Sequence, residues 1–427
     1  IGSIKRSIAM SKIRKSQQTC NTQTMIVAID IGKAKNCVRF RDLEGNDSRP
    51  YEFSNSRAGF DKFHSLIRWH KAKYDAKHVV VGFESTGGYG VPLAHFLAKH
   101  NIKTYLINPC HTKRLKELYD NSPNKTDEKD PGVIADIIQL GRTLTTIIPK
   151  GVSADLRALV HARERANSMI KIYHNQMQEI VFKVFPEFHH HIKNHLSKTA
   201  LYLLKHYPLP DQLTELTIEE LSALVKKKSR GKYSSEKASQ LLNAAQNTVG
   251  IKEGTSVFAL EIRKLIQFII DIQDYISDLE KQIHKHLQKV PFSRSIMSIR
   301  GIGKVTTAII TGETGAFDGF THAKEIEKLA GLNLYEISSG KRKGQLRISK
   351  RGRSLLRKAL YFAAINVVRE HGVYHDKYQT YLERGMPKKK ALISISRKLV
   401  RVIFAVAQKN TEFNENYEQK ELHKNAA

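Results

Sequence analysis

Two apolar runs, 25–29 and 79–83, each end in an acid, Asp30 and Glu84, inside a stretch where strand and helix periods alternate. Period-two patterning predicts strands over 26–31 and 36–41, with a returning strand at 50–54 after the turn-forming residues 42–47. Phe60, Phe63, Leu66 and Ile67 then recur at helical spacing. Residues 79–83 read as a buried strand, 91–99 as a helix and 104–108 as a strand. Hairpin strands followed by β–α–β units predict a mixed α/β sheet covered by helices.

Beyond residue 150 the period becomes helical. Leu156, Leu159, Ala166, Ile170, Tyr173, Met177, Ile180 and Val184 step by threes, fours and their sums. A stricter heptad runs through Phe258, Ile262, Leu265, Ile269, Ile272, Ile276, Leu279, Ile283 and Val290, with His286 filling one seam position. Such spacing over about four heptads predicts a coiled-coil seam. The 156–184 helix of the same chain and the same helix of a second protomer are both candidate partners. A compact helical insert spans about 197–250. There Thr217 and Glu220 are spaced as a capping box. Its basic stretch 226–233 reads as a nucleic-acid contact or a solvated helix end. Gly301-Ile302-Gly303 between two helical runs predicts a helix-hairpin-helix turn, able to aim backbone N–H groups at a phosphate. After Ala330-Gly331-Leu332, residues 333–340 look irregular, and 354–408 form a last helical block.

These shifts divide the chain into a basic extension (1–24), an α/β domain (25–150) and a coiled-coil region (151–292). A mainly helical C-terminal domain (293–410) and a polar tail (411–427) complete it. Residues 1–24 read as a disordered basic arm, or as sequence preceding a start at Met10 or Met25.

Charge changes the picture. Seventy-one Lys and Arg against 41 Asp and Glu give a formal +30. Residues 341–358 hold nine of those bases and no acid, the footprint of phosphate contact with steep salt dependence. Cys20, Cys37 and Cys110 lack metal-ligand spacing and fit a reducing cytosol. No apolar stretch approaches the roughly 18 residues of a membrane span, and the N-terminus lacks a secretory leader's apolar core. The expectation is therefore a cytoplasmic protein without a membrane partner.

An acid at the C-terminal tip of a buried strand faces the crevice where open α/β sheets bind ligands. Asp30 and Glu84 hold such positions, and Asp127 and Asp130 follow as a nearby pair. Singly, Asp30 reads equally as a turn cap and Glu84 as a partner for the 85–88 backbone. Together the four carboxylates make an oxygen-rich set suited to Mg²⁺ or Mn²⁺. His189, His190, His191 and His195 lack a second ligand cluster and are expected on a surface helix or loop. Trp69 and the tyrosines show no stacking pattern, and Tyr361 and Phe362 are expected in the core.

The motifs Ala28-Ile29-Asp30-Ile31-Gly32-Lys33, Glu84-Ser85-Thr86-Gly87-Gly88-Tyr89, Asn108-Pro109 and Lys125-Thr126-Asp127-Glu128-Lys129-Asp130 resemble the IS110-type insertion-sequence transposases with a DEDD catalytic domain. The resemblance continues through Gly301-Ile302-Gly303, Leu329-Ala330-Gly331-Leu332, Ser338-Ser339-Gly340, Arg347 to Gly352 and Leu355 to Tyr361. It implies an RNase H-like, RuvC-like first domain with Asp30, Glu84, Asp127 and Asp130 as metal ligands. It also implies a serine recombinase guided by a structured bridge RNA, acting on element ends and target DNA as a dimer or tetramer. Ser339, directly before Gly340, matches the nucleophile's position, and Ser338 is the fallback. Lys341, Arg342, Lys343, Arg347, Lys350, Arg351 and Arg353 would meet nucleic-acid phosphates. Two departures stand out: Pro131 follows Asp130, making it a candidate N-cap, and Asn333-Leu334 replaces a proline-containing stretch. The alternatives are a hydrolytic RuvC-like junction nuclease that needs the acids alone, and a noncatalytic nucleic-acid scaffold.

Overall fold

Alternation in strand β1 (Thr24–Asp30) sends Met25, Val27 and Ile29 to one face and Ile26 and Ala28 to the other, and all five are buried. A strand covered on both faces reads as a continuous apolar run, as this one does. The computed structural model describes residues 22–84, 88–120, 130–141, 143–145, 148–339 and 342–415. It divides into two compact units, Ile1–Ile148 and Pro149–Ala427.

In the first unit, β1 joins β2 (Lys35–Arg41), β3 (Tyr51–Ser54), β4 (His78–Glu84), β5 (Lys103–Ile107) and β6 (Leu144–Thr145) in the order β3-β2-β1-β4-β5-β6. β1, β4 and β5 are mutually parallel, and the other pairings are antiparallel. Helices α1 (Arg57–Lys73) and α2 (Gly90–Lys99) cover the Met25 face, burying Phe60, Phe63, Leu93 and Leu97 against Val81 and Phe83. Ser56 caps α1 by accepting the Gly59 amide. Helix α3 (Pro109–Asp120) starts with proline at its first position, where the missing N–H costs nothing. Helix α4 (Asp130–Gln139) covers the opposite face, packing Val133, Ile134, Ile137 and Ile138 on Ile26, Ala28 and Val80. Gly82 makes this approach possible, since a Cβ there would lie 2.4 Å from Ile138 Cδ1.

The second unit is built on α5 (Val152–Val184) and α11 (Thr255–Leu287), each 33 residues long. They lie along one another within the same chain, which answers one half of the partner question. Ile262, Leu265, Ile269, Leu279 and Ile283 are buried, whereas Ile272 and Ile276 at mid-helix are only half-buried. The insert between them forms α6 (Phe188–His191), α7 (Lys198–His206), α8 (Pro210–Thr214), α9 (Ile218–Ser229) and α10 (Ser235–Gln246). Its core of Leu203, Leu204, Leu221 and Leu241 closes on Met177, Val181 and Ile266. The capping box forms: the Glu220 amide donates to Thr217 Oγ1 and the Thr217 amide to Glu220 Oε2. His195 departs from the surface expectation. It is 2 % exposed, packed beside Phe188, because its flanking residues close the insert's core.

Then follow α12 (Ser293–Met297), α13 (Lys304–Thr314), α14 (Ala323–Ala330), strands β7 (Leu334–Ser339) and β8 (Arg342–Ile348), and α15 (Ser354–Val367), α16 (His375–Glu383) and α17 (Lys388–Lys409). Gly301, at φ +101°, turns between α12, only five residues long, and α13. The stretch expected to be irregular is mostly strand: β7 pairs antiparallel with β8 from Leu334 opposite Ile348 to Ser339 opposite Arg342. Backbone pairing across this ribbon needs no apolar periodicity, so the sequence pattern gave no sign of it. Phe362 also departs from expectation, at 52 % exposed, while Tyr361 is half-buried. Among the described residues, no helix is long and apolar enough to cross a membrane.

Candidate active site

The register of β1 and β4 fixes the first two acids. Ile29 lies opposite Phe83, so Asp30 and Glu84 come one step later, side by side at the C-terminal ends of neighbouring parallel strands. Adjacent strands run about 4.8 Å apart, well within the span one cation's ligands can bridge. Alternation puts both acids on the Ile26–Ala28 face, which α4 covers. Both are half-buried.

The turn after Asp30 is held by residues that sequence patterning missed. Asn36, 1 % exposed, donates to Asn55 Oδ1 at 2.7 Å and accepts the Gly32 amide. Asn55 Nδ2 in turn donates to the carbonyls of Gly32 and Lys33. Gly32 is required there because a Cβ would lie 2.2 Å from the Lys35 carbonyl oxygen. An Asn early in a strand and another just before a helix cap look like ordinary polar residues in sequence, so nothing marked them as a pair.

Asp130 enters from α4. Arg41, near the end of β2 that faces the start of β1, binds Asp136 and Gln139 at the C-terminal end of α4. The helix therefore runs against β1, and its first residue, Asp130, lies toward the tips that carry Asp30 and Glu84. Pro131 falls in the first helical turn, where its fixed φ is tolerated. Asp130 is 6 % exposed and ion-paired with Lys116 of α3. Asp127 lies outside the described residues, as do Ser85, Thr86 and Gly87. Among the described residues, no three His, Cys, Asp or Glu side chains are gathered as one ion's ligands. The donor set itself, carboxylates only, is the chemistry that hard cations such as Mg²⁺ and Mn²⁺ take, and Mg²⁺ is commonly held by one or two carboxylates and waters.

In the second unit, Ser339 closes β7 at the far end of the ribbon. The side chains of Ser338, Ser339, Arg342 and Lys343, and the whole of Lys341, lie outside the described residues. At the ribbon's foot Asn333 bridges to the residue that follows β8. Its carbonyl accepts the Ser349 amide at 2.9 Å, and its Oδ1 accepts the Ser349 hydroxyl. The segment 349–353 then crosses the end of α14: the Lys350 amide donates to the Gly331 carbonyl and the Arg353 amide to the Leu329 carbonyl. Gly331 (φ +69°) and Gly352 allow that crossing, since a Cβ on Gly352 would meet the Leu329 oxygen at 2.3 Å. Arg347, Lys350 and Arg351 are exposed.

Arg353 is turned inward. Its guanidinium binds Glu313, a carboxylate 1 % exposed, which also receives His161 at 2.6 Å and has Arg157 at 3.7 Å. Burial pushes the Glu313 carboxyl up, but the His161 hydrogen bond and the charges of Arg353 and Arg157 outweigh it and hold it below the usual range. Burial, reinforced by Arg157 and opposed by Glu313, pulls Arg353 down to about 10. This cluster ties α5, α13 and the start of α15 together. Only Arg353 carried a sequence signal, as one of a basic run.

Two family models match the chain: one described as "Transposase", named for the DEDD transposases of IS110, over residues 27–186. The second, "Transposase IS116/IS110/IS902 family", covers residues 293–379. Both candidate acid positions in the strands and Ser339 fall inside those matches. The chain belongs to the IS116/IS110/IS902 family of transposases. It is similar to the insertion element IS110 43.6 kDa protein of Streptomyces coelicolor, 24% identical over 91% of this chain and 95% of that relative. The pilin gene-inverting protein of Moraxella lacunata is also 24% identical, over 91% of this chain and 97% of its own length. Among solved structures, Thermus thermophilus RuvC with a Holliday junction substrate aligns at 11% identity over 29% of this chain and 99% of that one, with a TM-score of 0.22.

Proposed function

We propose that this chain is the DNA recombinase of an insertion sequence, cutting and rejoining DNA through a serine-linked intermediate with the help of a divalent metal. The observation that carries this reading is the β1–β4 register, which sets Asp30 beside Glu84 at two strand tips of a transposase-family chain. Asp30, Glu84, Asp127 and Asp130 would hold Mg²⁺ or Mn²⁺, which supplies Lewis-acid polarisation of a phosphoryl oxygen.

Ser339 Oγ attacks the scissile phosphorus, forming one P–O bond as the bond to the leaving sugar oxygen breaks. The serine proton leaves to a base or water, and the departing oxygen takes one up. Attack on the phosphoserine by the hydroxyl of another strand restores the serine and exchanges the strands without oxidation or outside energy. Arg347, Lys350 and Arg351, with Lys341, Arg342 and Lys343 of the same run, neutralise phosphate charge as the strand is held. A structured guide RNA encoded beside the element, and assembly as a dimer or tetramer, belong to the same proposal. They rest on the family resemblance.

One assay tests the chemistry: wild type, Asp30→Asn, Ser338→Ala and Ser339→Ala on element-end DNA with Mg²⁺ and flanking RNA. Ser339→Ala should lose covalent DNA–protein adducts and excision while RNA binding persists. Cutting by Ser339→Ala that still requires Asp30 would instead identify a hydrolytic junction nuclease. Indifference to both substitutions would identify a scaffold.

A further inference from the structure

The foot of the β7–β8 ribbon opens onto a cavity of about 570 Å³ that the proposed chemistry leaves unused. That volume lies within the roughly 300–1,000 Å³ range of small-molecule sites. Leu332, which leads into β7, and Ile348, which ends β8, line it with Leu355 and Tyr361. Arg357, Lys358 and Lys389 also reach its wall. Glu164 neutralises one of these, holding Lys358 at 2.5 Å. Arg357 is aimed by its Nη1, which donates to the carbonyls of Ala330 and Lys350. Three cations and one carboxylate leave the wall positive.

The combination is selective. A free anion would have no use for the apolar lining and the aromatic ring. A purely apolar ligand would gain nothing from the cations. A planar base joined to a phosphate uses both, stacking on the ring and presenting its charge to the basic side.

We propose that this cavity accepts one nucleotide turned out of a single strand, its base against Tyr361 and its phosphate toward Arg357 and Lys389. The proposal rests on the recombinase reading for the strand's presence and adds a binding site to it. Leu334 at the foot and Ser339 at the tip are five residues apart in β7, or about 17 Å at strand rise. Stacked nucleotides at about 3.4 Å each cover that span in about five steps. The captured nucleotide would register the strand about five positions from Ser339.

The test uses the full chain with labelled single-stranded DNA and RNA 12-mers and a blunt DNA duplex at one fixed salt. Tyr361→Leu and Lys389→Glu should each weaken single-strand binding by about fivefold or more and leave duplex binding within about twofold. The arm that loses affinity, DNA or RNA, identifies the strand. Lys389 is exposed in the first turn of α17, where an acid suits the helix dipole, so its variant reports binding rather than folding. Independently, 5-iodouracil oligonucleotides should crosslink to the Tyr361 peptide of the unaltered chain. Wild-type single-strand affinity in both variants, without that crosslink, overturns the proposal. A chain that excises DNA yet shows neither effect keeps the catalytic reading and loses the pocket. One that shows both effects but forms no serine adduct keeps the pocket alone.

Discussion

The Arg41 guanidinium meets the Asp136 carboxylate at 2.5 Å, and this contact sets the direction in which α4 crosses the sheet. The same guanidinium donates to both carboxylate oxygens of Asp47 and to Gln139. Arg41 is 7 % exposed, and burial works against its charge. The hydrogen bonds and charges of Asp47 and Asp136 outweigh that cost and hold its pKa above the ordinary value. With the far end of α4 pinned, Asp130 is left at the end of the sheet where β1 and β4 finish.

Arg41→Leu takes the buried guanidinium away from two part-exposed carboxylates, Asp47 and Asp136. Breaking a fully buried ion pair costs about 3–5 kcal/mol and water reaches these carboxylates, so urea denaturation should show a smaller loss of about 2 kcal/mol in the first unit. A loss below about 1 kcal/mol would mean that apolar packing alone positions α4.

Asp30→Asn and Glu84→Gln keep shape and remove charge at half-buried strand tips. Each should lower DNA cleavage by about a hundredfold or more, comparable to losing other electrostatic catalytic groups, while the melting temperature barely moves. Chelation by EDTA should silence the wild type, with Mg²⁺ or Mn²⁺ restoring it. Full cleavage by either variant would remove that acid from the site.

Basic residues of the 341–358 run should separate into two kinds. Arg347→Ala and Arg351→Ala, at exposed positions, should weaken DNA binding evenly across sequences and each reduce the salt slope by about 1. Arg353→Ala should act through folding. It leaves the buried Glu313 short of a charge partner, a defect worth about 3 kcal/mol, read in the second unit's denaturation.

Acid should destabilise both units. His70 and His195 are 1 % and 2 % exposed, and neither ring has a hydrogen-bond partner among the described residues. Burial, then the charge of Lys73, takes His70 down to about 4. Burial, then His189 and His174, does the same for His195. Above pH 6.5 both rings are neutral folded or unfolded and contribute no pH dependence. Below it the unfolded chain takes up protons that the fold refuses. Stability therefore falls as pH drops from 6.5 toward 4, by up to about 1.4 kcal/mol per unit for each ring. Unfolding measured at several pH values should show this slope, and His70→Phe and His195→Phe should each flatten it.

Strand and helix periods in residues 24–107 were legible because each element buries a defined face, so the apolar spacing is the fold's own signature. The acids at the ends of β1 and β4 were legible for the same reason: a charge that ends a buried run has to lie at a tip. The long helices declared themselves by heptads, and the family by its ordered motifs. Ser339's strand had no such mark, because β7 and β8 are joined by backbone hydrogen bonds that no side-chain period encodes. Asn36 with Asn55, Arg41 with Asp136 and Glu313 with Arg353 were equally silent. Each is a polar pair between residues far apart in sequence, 19 positions for Asn36 and Asn55, 40 for Glu313 and Arg353 and 95 for Arg41 and Asp136. Composition cannot say which charge meets which. The sequence determined the elements and the acids at their ends; the tertiary structure decided which acids share a face, since that depends on strand register and helix direction.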